Sequence, residues 1–181
     1  VNNKNLGFIP SVNRLFKEAL GDIVVLLNND VQIEKDFLYF LVKHFENKSI
    51  FAVNCHEKGE GPSVAFWKEG FCEFKRGVEN NEVQKSSWAS GGSAAYSKKI
   101  WQKLSGLDNL YAPFYWEDID ISFRAISAGY KILWEPKAVV FHKHETTINK
   151  NFSPKYVNWV KQRNQLLFIW KNINDKNLLQ D

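Results

Sequence analysis

Five aliphatic residues in a row, Ile23, Val24, Val25, Leu26 and Leu27, form the pattern of a strand covered on both faces. They predict a central strand. Upstream, Val12, Leu15, Phe16 and Ala19 recur at three- and four-residue spacing, which predicts a helix with Gly21 as its C-terminal cap. Downstream, Asn28, Asn29 and Asp30 break the apolar run, and Phe37, Leu38, Leu41 and Phe45 give 34–45 a helical period. A second short apolar run covers 50–54. The first third therefore reads as helix, strand, helix, strand, the alternation of a layered α/β sheet.

From 56 to 85 the period loosens into short aromatic pieces separated by Gly59, Gly61, Gly70 and Gly77. Short strands and a mobile loop are expected there, with 59–77 as a lid over a site. Residues 93–96 read as a strand, and 98–104 as a short helix ending at Gly106. A strong helix is expected over 117–128, closed by Gly129, with Ile119, Phe123 and Ile126 on one face. Pro136 divides 131–134 from 138–142, which predicts two strands. A long helix over 154–173 starts from Ser153 as cap and Pro154 at its first position. No repeat, low-complexity tract or linker interrupts the chain, so 1–181 is expected to form a single domain.

Composition narrows the class. With 44% hydrophobic residues, 15% aromatic and seven Trp among 181 residues, the chain can fill a core. No apolar stretch approaches the roughly 20 residues that span a bilayer, and the start lacks the pattern of a secretory signal. Two cysteines, Cys55 and Cys72, are too few for a disulfide framework or a four-Cys zinc site, which predicts a reducing, cytoplasmic setting. The formal net charge of +4 is spread along the chain. It suits phosphorylated ligands or a peripheral contact with an anionic membrane, and is too diffuse for nucleic acid. There is no Met and the first residue is Val1, so the natural protein is expected to extend further in the N-terminal direction.

Four places carry candidate chemistry. Asp30, with Asn28 and Asn29, ends the apolar strand, where a carboxylate can hold a divalent ion against phosphate oxygens; the same three residues also suit a plain turn. Glu117, Asp118 and Asp120 crowd a helix start after Trp116. They either complement the helix dipole, with Asp120 pairing Arg124, or supply a general base of raised pKa. His142 and His144 follow a strand and read as structural residues or, with Asp30, as a two-His, one-carboxylate metal site. Finally, Ser90, Gly91, Gly92 and Ser93 form a small-residue loop after Trp88, a tight turn or a place where backbone approaches a ligand.

Their order carries a likeness. An Asn-x-Gly-Phe start at Asn5 to Phe8, Asn13 in the next helix, the strand ending in Asn28, Asn29 and Asp30, the Gly91 and Gly92 loop, the run from Trp116 to Arg124 with Gly129 and Tyr130, and the strand ending in His142 resemble the family 2 glycosyltransferases. The likeness covers 5–171 and is strongest to bacterial members that build rhamnose-containing cell-surface polysaccharides. It implies an α/β fold of the GT-A type, a Rossmann-like mixed sheet flanked by helices, here without the family's first strand and helix and the base-gripping residues they carry.

The resemblance also implies an inverting, metal-dependent transfer from a UDP- or dTDP-sugar to a glycan or lipid-linked acceptor at the cytoplasmic side of a membrane. Asp30 would match the last acid of the family's Asp-x-Asp motif and hold Mg2+ or Mn2+, with His142 completing the coordination. Asn28 stands at the motif's first acid, and Asn28, Asn29 and Asn13 are expected on the nucleotide side. Asp118 matches the catalytic base, with Glu117 as supporting carboxylate. Trp88, Gly91, Gly92 and Trp116 are expected to line the acceptor and sugar pocket. A metalloenzyme without nucleotide and a non-catalytic carbohydrate-binding or scaffold module are the competing readings.

Overall fold

The computed structural model describes residues 4–142 and 146–175. α1 (Phe8–Glu18) buries Ile9, Val12 and Phe16 and leaves Leu15 exposed. Its C-cap is Ala19 in extended backbone, whose N–H donates to Leu15 O. Gly21 is therefore not the cap: an extended cap residue ends the helix without the left-handed turn that favours glycine.

β1 (Ile23–Leu27) alternates as a strand should, with Val24 and Leu26 against one core cluster and Ile23, Val25 and Leu27 against the other. The remaining strands are β2 (Val31–Ile33), β3 (Ile50–Glu57), β4 (Ser63–Lys68), β5 (Phe71–Arg76), β6 (Gln84–Lys85), β7 (Ser93–Ser97) and β8 (Lys131–His142). In the main sheet the order is β1-β7-β3-β8-β2, with β6 also on β8. β1 thus lies at an edge of the described sheet and is not central. An aliphatic run reports covered faces, which the helix layers supply, and says nothing of backbone partners at the edges.

The sheet is mixed: β3 and β8 are parallel, while β1 with β7, β7 with β3, and β2 with β8 are antiparallel. β8 is one strand, not two. Its register against β3 shifts between the Asn54–Trp134 and His56–Val139 pairs, so Pro136 sits in a bulge whose carbonyl accepts from His56 Nδ1. There its missing N–H breaks no ladder.

Helices α2 (Phe37–Val42), α3 (Lys98–Lys103), α4 (Glu117–Ser127), α5 (Thr146–Asn151) and α6 (Pro154–Asn172) complete the chain. Phe37, Leu41 and Phe45 pack on one side with Val53, Cys55, Ala95 and Val140. On the other, Phe16 stacks on Trp101 at 3.6 Å between centroids, within a cluster that includes Phe51, Tyr96, Ile121 and Phe168. Among the described residues no helix is long and apolar enough to cross a membrane.

Within 59–77, where short strands and a mobile lid are expected, the two short strands β4 and β5 form a β-hairpin. β4 and β5 pair antiparallel across a turn at Glu69 (φ 49) and Gly70 (φ 77), the two left-handed residues that a tight hairpin requires. Cys72 and Phe74 on β5 face the core, and Gln165 on α6 donates to Cys72 O at 3.1 Å.

Candidate active site

Three strand ends meet at one margin of the sheet. The C-terminal ends of β1, β3 and β8 lie beside the start of β7, as the pairs Leu27–Ser93, Glu57–Val140 and Val31–His142 require. In an α/β sheet this is where ligands bind. Asn28 continues β1 by donating its N–H to Gly92 O at 2.9 Å, and its side chain lies so close that a Cβ at Gly92 would stand 2.5 Å from Asn28 Nδ2. Any larger residue would displace the Asn28 amide. On the other side of the same loop, Gly91 N donates to Asp118 Oδ2 at 3.3 Å. The glycine pair thus joins the Asn28–Asp30 turn to the first turn of α4.

His142 links the turn to β3. Its Nε2 lies 3.2 Å from Asp30 Oδ1 and 3.4 Å from Asn28 Nδ2, while Nδ1 lies 3.4 Å from Glu57 Oε1. Ser93 Oγ donates to the same Glu57 oxygen at 2.6 Å. In the tautomer in which the Asn28 amide donates to Nε2, the ring proton sits on Nδ1 toward Glu57. In that tautomer Nε2 and Asp30 Oδ1, 3.2 Å apart, both offer lone pairs that a cation can share.

A divalent ion fits this pair. Two ligands about 2.1 Å from an octahedral ion stand about 3 Å apart when adjacent, and Mg2+ typically takes few protein ligands and completes its shell with water and substrate phosphates. Among the described residues no group of three His, Cys, Asp or Glu is placed to hold a metal ion by itself. His144, the other histidine of the two-His reading, lies outside the described residues.

Glu117 and Asp118 open α4 from an unusual backbone. Tyr115 (φ 69) and Trp116 (φ 77) are consecutive left-handed residues, each strained by roughly 1–2 kcal/mol. Asn164 of α6, fully buried, holds them: its Nδ2 donates to the carbonyls of Tyr111, Phe114 and Tyr115 at 2.8, 3.0 and 2.8 Å. Burial, and then the Asp118 charge, pushes the buried Glu117 carboxyl up to about 8, and among the described residues its Oε2 has no hydrogen-bond partner. Asp118 is also raised by burial, but the N–H groups of Gly91 and Ile119 and the charge of Arg76 oppose the rise. Of the pair, Asp118 is the one whose ionised form the site supports.

Several expectations change. The Asn13 amide, expected on the nucleotide side, accepts from Leu107 N at 2.9 Å and donates to Leu107 O at 2.8 Å, clasping the turn after α3. Trp116 is only 6% exposed, its ring packed 5.2 Å from both Phe74 and Phe168. It cannot offer a face to a sugar. Trp88 is half-buried, with Phe74 against it and the Arg76 guanidinium 5.9 Å from its ring centroid. The fully buried side of α4 is Glu117, Asp120, Ile121, Ser122 and Ala125; of the 119, 123 and 126 face, Ile119 and Phe123 pack partly buried against the core and Ile126 is exposed. Asp120 can be buried because Tyr111, Arg124, Lys171 and Asn172 all donate to it.

Glu57 is the site residue that sequence reasoning missed. It ends a strand in which every other residue except His56 is also buried, and only the pairing of β3 with β8 reveals it beside His142.

Residues 1–105 match the sequence model described as "Glycosyl transferase family 2". The chain belongs to glycosyltransferase family 2. It is 23% identical over 176 residues to the rhamnosyltransferase WbbL of Escherichia coli K12, covering 87% of this chain and 65% of WbbL. The O-antigen chain rhamnosyltransferase RfbN of Salmonella typhimurium is 26% identical over 142 residues, 73% of this chain and 44% of RfbN. The chain therefore spans less than two thirds of either curated relative.

Among solved structures, GalNAc-T7 with UDP, GalNAc and Mn2+ superposes with a TM-score of 0.73 at 16% identity, covering 93% of this chain and 35% of that one. The mannosyltransferase PcManGT from Pyrobaculum calidifontis, with GDP-Man and Mn2+, gives 0.56 at 17% identity over 81% of this chain and 39% of its own. These likenesses establish the glycosyltransferase fold of the family 2 chain, a mixed sheet flanked by helices.

Proposed function

We propose that residues 1–181 form the catalytic and acceptor part of an inverting, divalent-metal-dependent glycosyltransferase that uses a UDP- or dTDP-sugar. One observation carries this reading: the Gly91–Gly92 loop is bonded on one side to Asn28, beside the Asp30–His142 pair, and on the other to Asp118. A diphosphate-side cation site and a proton acceptor are thereby held on opposite sides of one backbone loop. WbbL and RfbN are named rhamnosyltransferases, which supports a deoxyhexose donor and a glycan or lipid-linked acceptor in cell-surface polysaccharide synthesis on the cytoplasmic side. The structures of the two neighbours with nucleotide and Mn2+ support Mg2+ or Mn2+ as cofactor.

Asp30 and His142 would hold the ion, which when bound neutralises the charge of the departing nucleoside diphosphate. Asp118 accepts the proton of the acceptor hydroxyl as its oxygen forms a bond to C1 of the sugar. The bond from C1 to the diphosphate oxygen breaks on the opposite side, so the anomeric centre inverts. Burial holds the Glu117 carboxyl toward its protonated form, and Asp118, which accepts from two backbone N–H groups, is the better placed of the pair to carry the charge. Trp88 offers the apolar face of a sugar ring a partner, and the Arg76 guanidinium beside it is held by Ser63 and Glu60.

Calorimetric titration of the full-length protein with UDP and dTDP, with and without Mn2+, tests the reading. Metal-dependent binding of one of them is expected. A folded protein that binds neither would favour a sugar-binding module instead.

A further inference from the structure

α6 has two faces with different tasks. Val157, Val160, Asn164 and Phe168 point inward, and the inward Asn164 holds the loop before Glu117 and Asp118. On the opposite side Tyr156, Trp159, Arg163, Leu166 and Trp170 follow one another at spacings of three and four, which places them on one stripe. This outer stripe is aromatic and uncovered: Trp159 is 52% exposed, Trp170 70%, and Tyr156 and Leu166 more than a third.

The rings form a continuous ladder. Phe152 stacks on Tyr156 at 5.5 Å, Tyr156 on Trp159 at 5.9 Å, and the Arg163 guanidinium lies 5.2 Å over Trp159. A ladder of this kind buries little of each ring while holding all of them at the surface.

Charge decides what the stripe suits. Residues 146–172 carry Lys150, Lys155, Lys161, Arg163 and Lys171 and no acid, although the chain has 20 Asp and Glu. Lys171 is bound to Asp108 and Asp120, whereas Lys150 and Lys155 stand exposed beside the ladder. A second copy of this chain or another protein could cover apolar rings, but a helical segment with Tyr and Trp tips, basic side chains and no acid of its own matches the headgroup level of an anionic bilayer, with Glu73 of β5 and Asp108 as the neighbouring acids from other elements.

We propose that the outer face of α5 and α6 docks on an anionic phospholipid surface, with the Phe152, Tyr156, Trp159 and Trp170 rings at headgroup depth and Lys150 and Lys155 on the lipid phosphates. This surface is independent of the glycosyltransferase reading. Its consequence for that reading is positional: one helix carries both the lipid face and the clasp on the loop before the catalytic acids.

Sedimentation of the full-length protein with sucrose-loaded vesicles tests it, using phosphatidylcholine alone and phosphatidylcholine with phosphatidylglycerol. The wild type is expected to pellet with the anionic vesicles and weakly with the neutral ones. Removing one basic charge, Lys155→Ala, should weaken anionic binding about fivefold, and raised salt should weaken it further. Trp159→Ser combined with Trp170→Ser should abolish pelleting while the circular dichroism spectrum and melting temperature stay those of the wild type, since both rings face outward. Should that double variant not fold, Lys150→Glu with Lys155→Glu, both exposed, carries the test. Equal pelleting of variants and wild type overturns the proposal. So does a wild type that ignores both vesicle types, including one that forms a dimer dispersed by Trp159→Ser.

Discussion

Asp118 and Glu117 are neighbours in sequence with opposite assignments, and hydrogen bonding separates them. Asp118 accepts from Gly91 and Ile119, which stabilises its anion, while Glu117 Oε2 is buried without a donor among the described residues. Asp118→Asn is expected to lower transfer by about 10²- to 10⁴-fold while leaving Mn2+-dependent nucleotide binding intact, since Asp30 and His142 are unchanged. Turnover near that of the wild type would remove Asp118 as the base. Glu57 acts one step behind the site. It accepts from Ser93 and faces His142 Nδ1, so it fixes which ring nitrogen is turned toward Asp30. Glu57→Gln should weaken Mn2+-nucleotide affinity about 10- to 100-fold. Calorimetry reads this directly, and an unchanged affinity would make Glu57 only a packing residue.

At the level of elements, the start of α4 matters most. A helix that begins after two left-handed non-glycine residues does not set that geometry alone. The loop is held by Asn164 from α6, and the helix behind it is anchored where Tyr111, Arg124, Lys171 and Asn172 converge on Asp120. Asp120→Ala leaves Arg124 without its carboxylate and Lys171 with Asp108 alone, and a loss of about 3 kcal/mol is expected, the lower end for a broken buried pair because Lys171 keeps one partner and both cations keep some contact with water. Chemical denaturation measures it; a loss under roughly 1 kcal/mol would show that the carboxylate is dispensable. The hairpin of β4 and β5 completes the wall. Phe74 touches both Trp88 and Trp116, so the segment whose glycines suggested a mobile lid is joined to the aromatic core.

For the whole molecule, the buried carboxyl of Glu117 couples stability to pH. Its folded value of about 8 lies above the ordinary 4.5, so between these values the folded chain binds more protons than the unfolded one. Stability from this group is complete below pH 4.5 and is lost as pH rises toward 8. Thermal melts across that window should show the decline, and Glu117→Gln should flatten it; an equally steep decline in the variant would assign it elsewhere. The sequence by itself determined the local elements and much of the chemistry. The aliphatic run of β1, the Ser153–Pro154 start of α6, the turn residues Asn28 to Asp30 and the acids after Trp116 were all legible, because propensity, capping and periodicity act over a few neighbouring residues. Tertiary structure decided the rest. The edge position of β1, the unbroken β8, the pairing of Glu57 with His142, the committed amide of Asn13 and the buried ring of Trp116 depend on which distant segments meet. Side-chain period reports which faces are covered, and carries no record of the strand or helix that covers them.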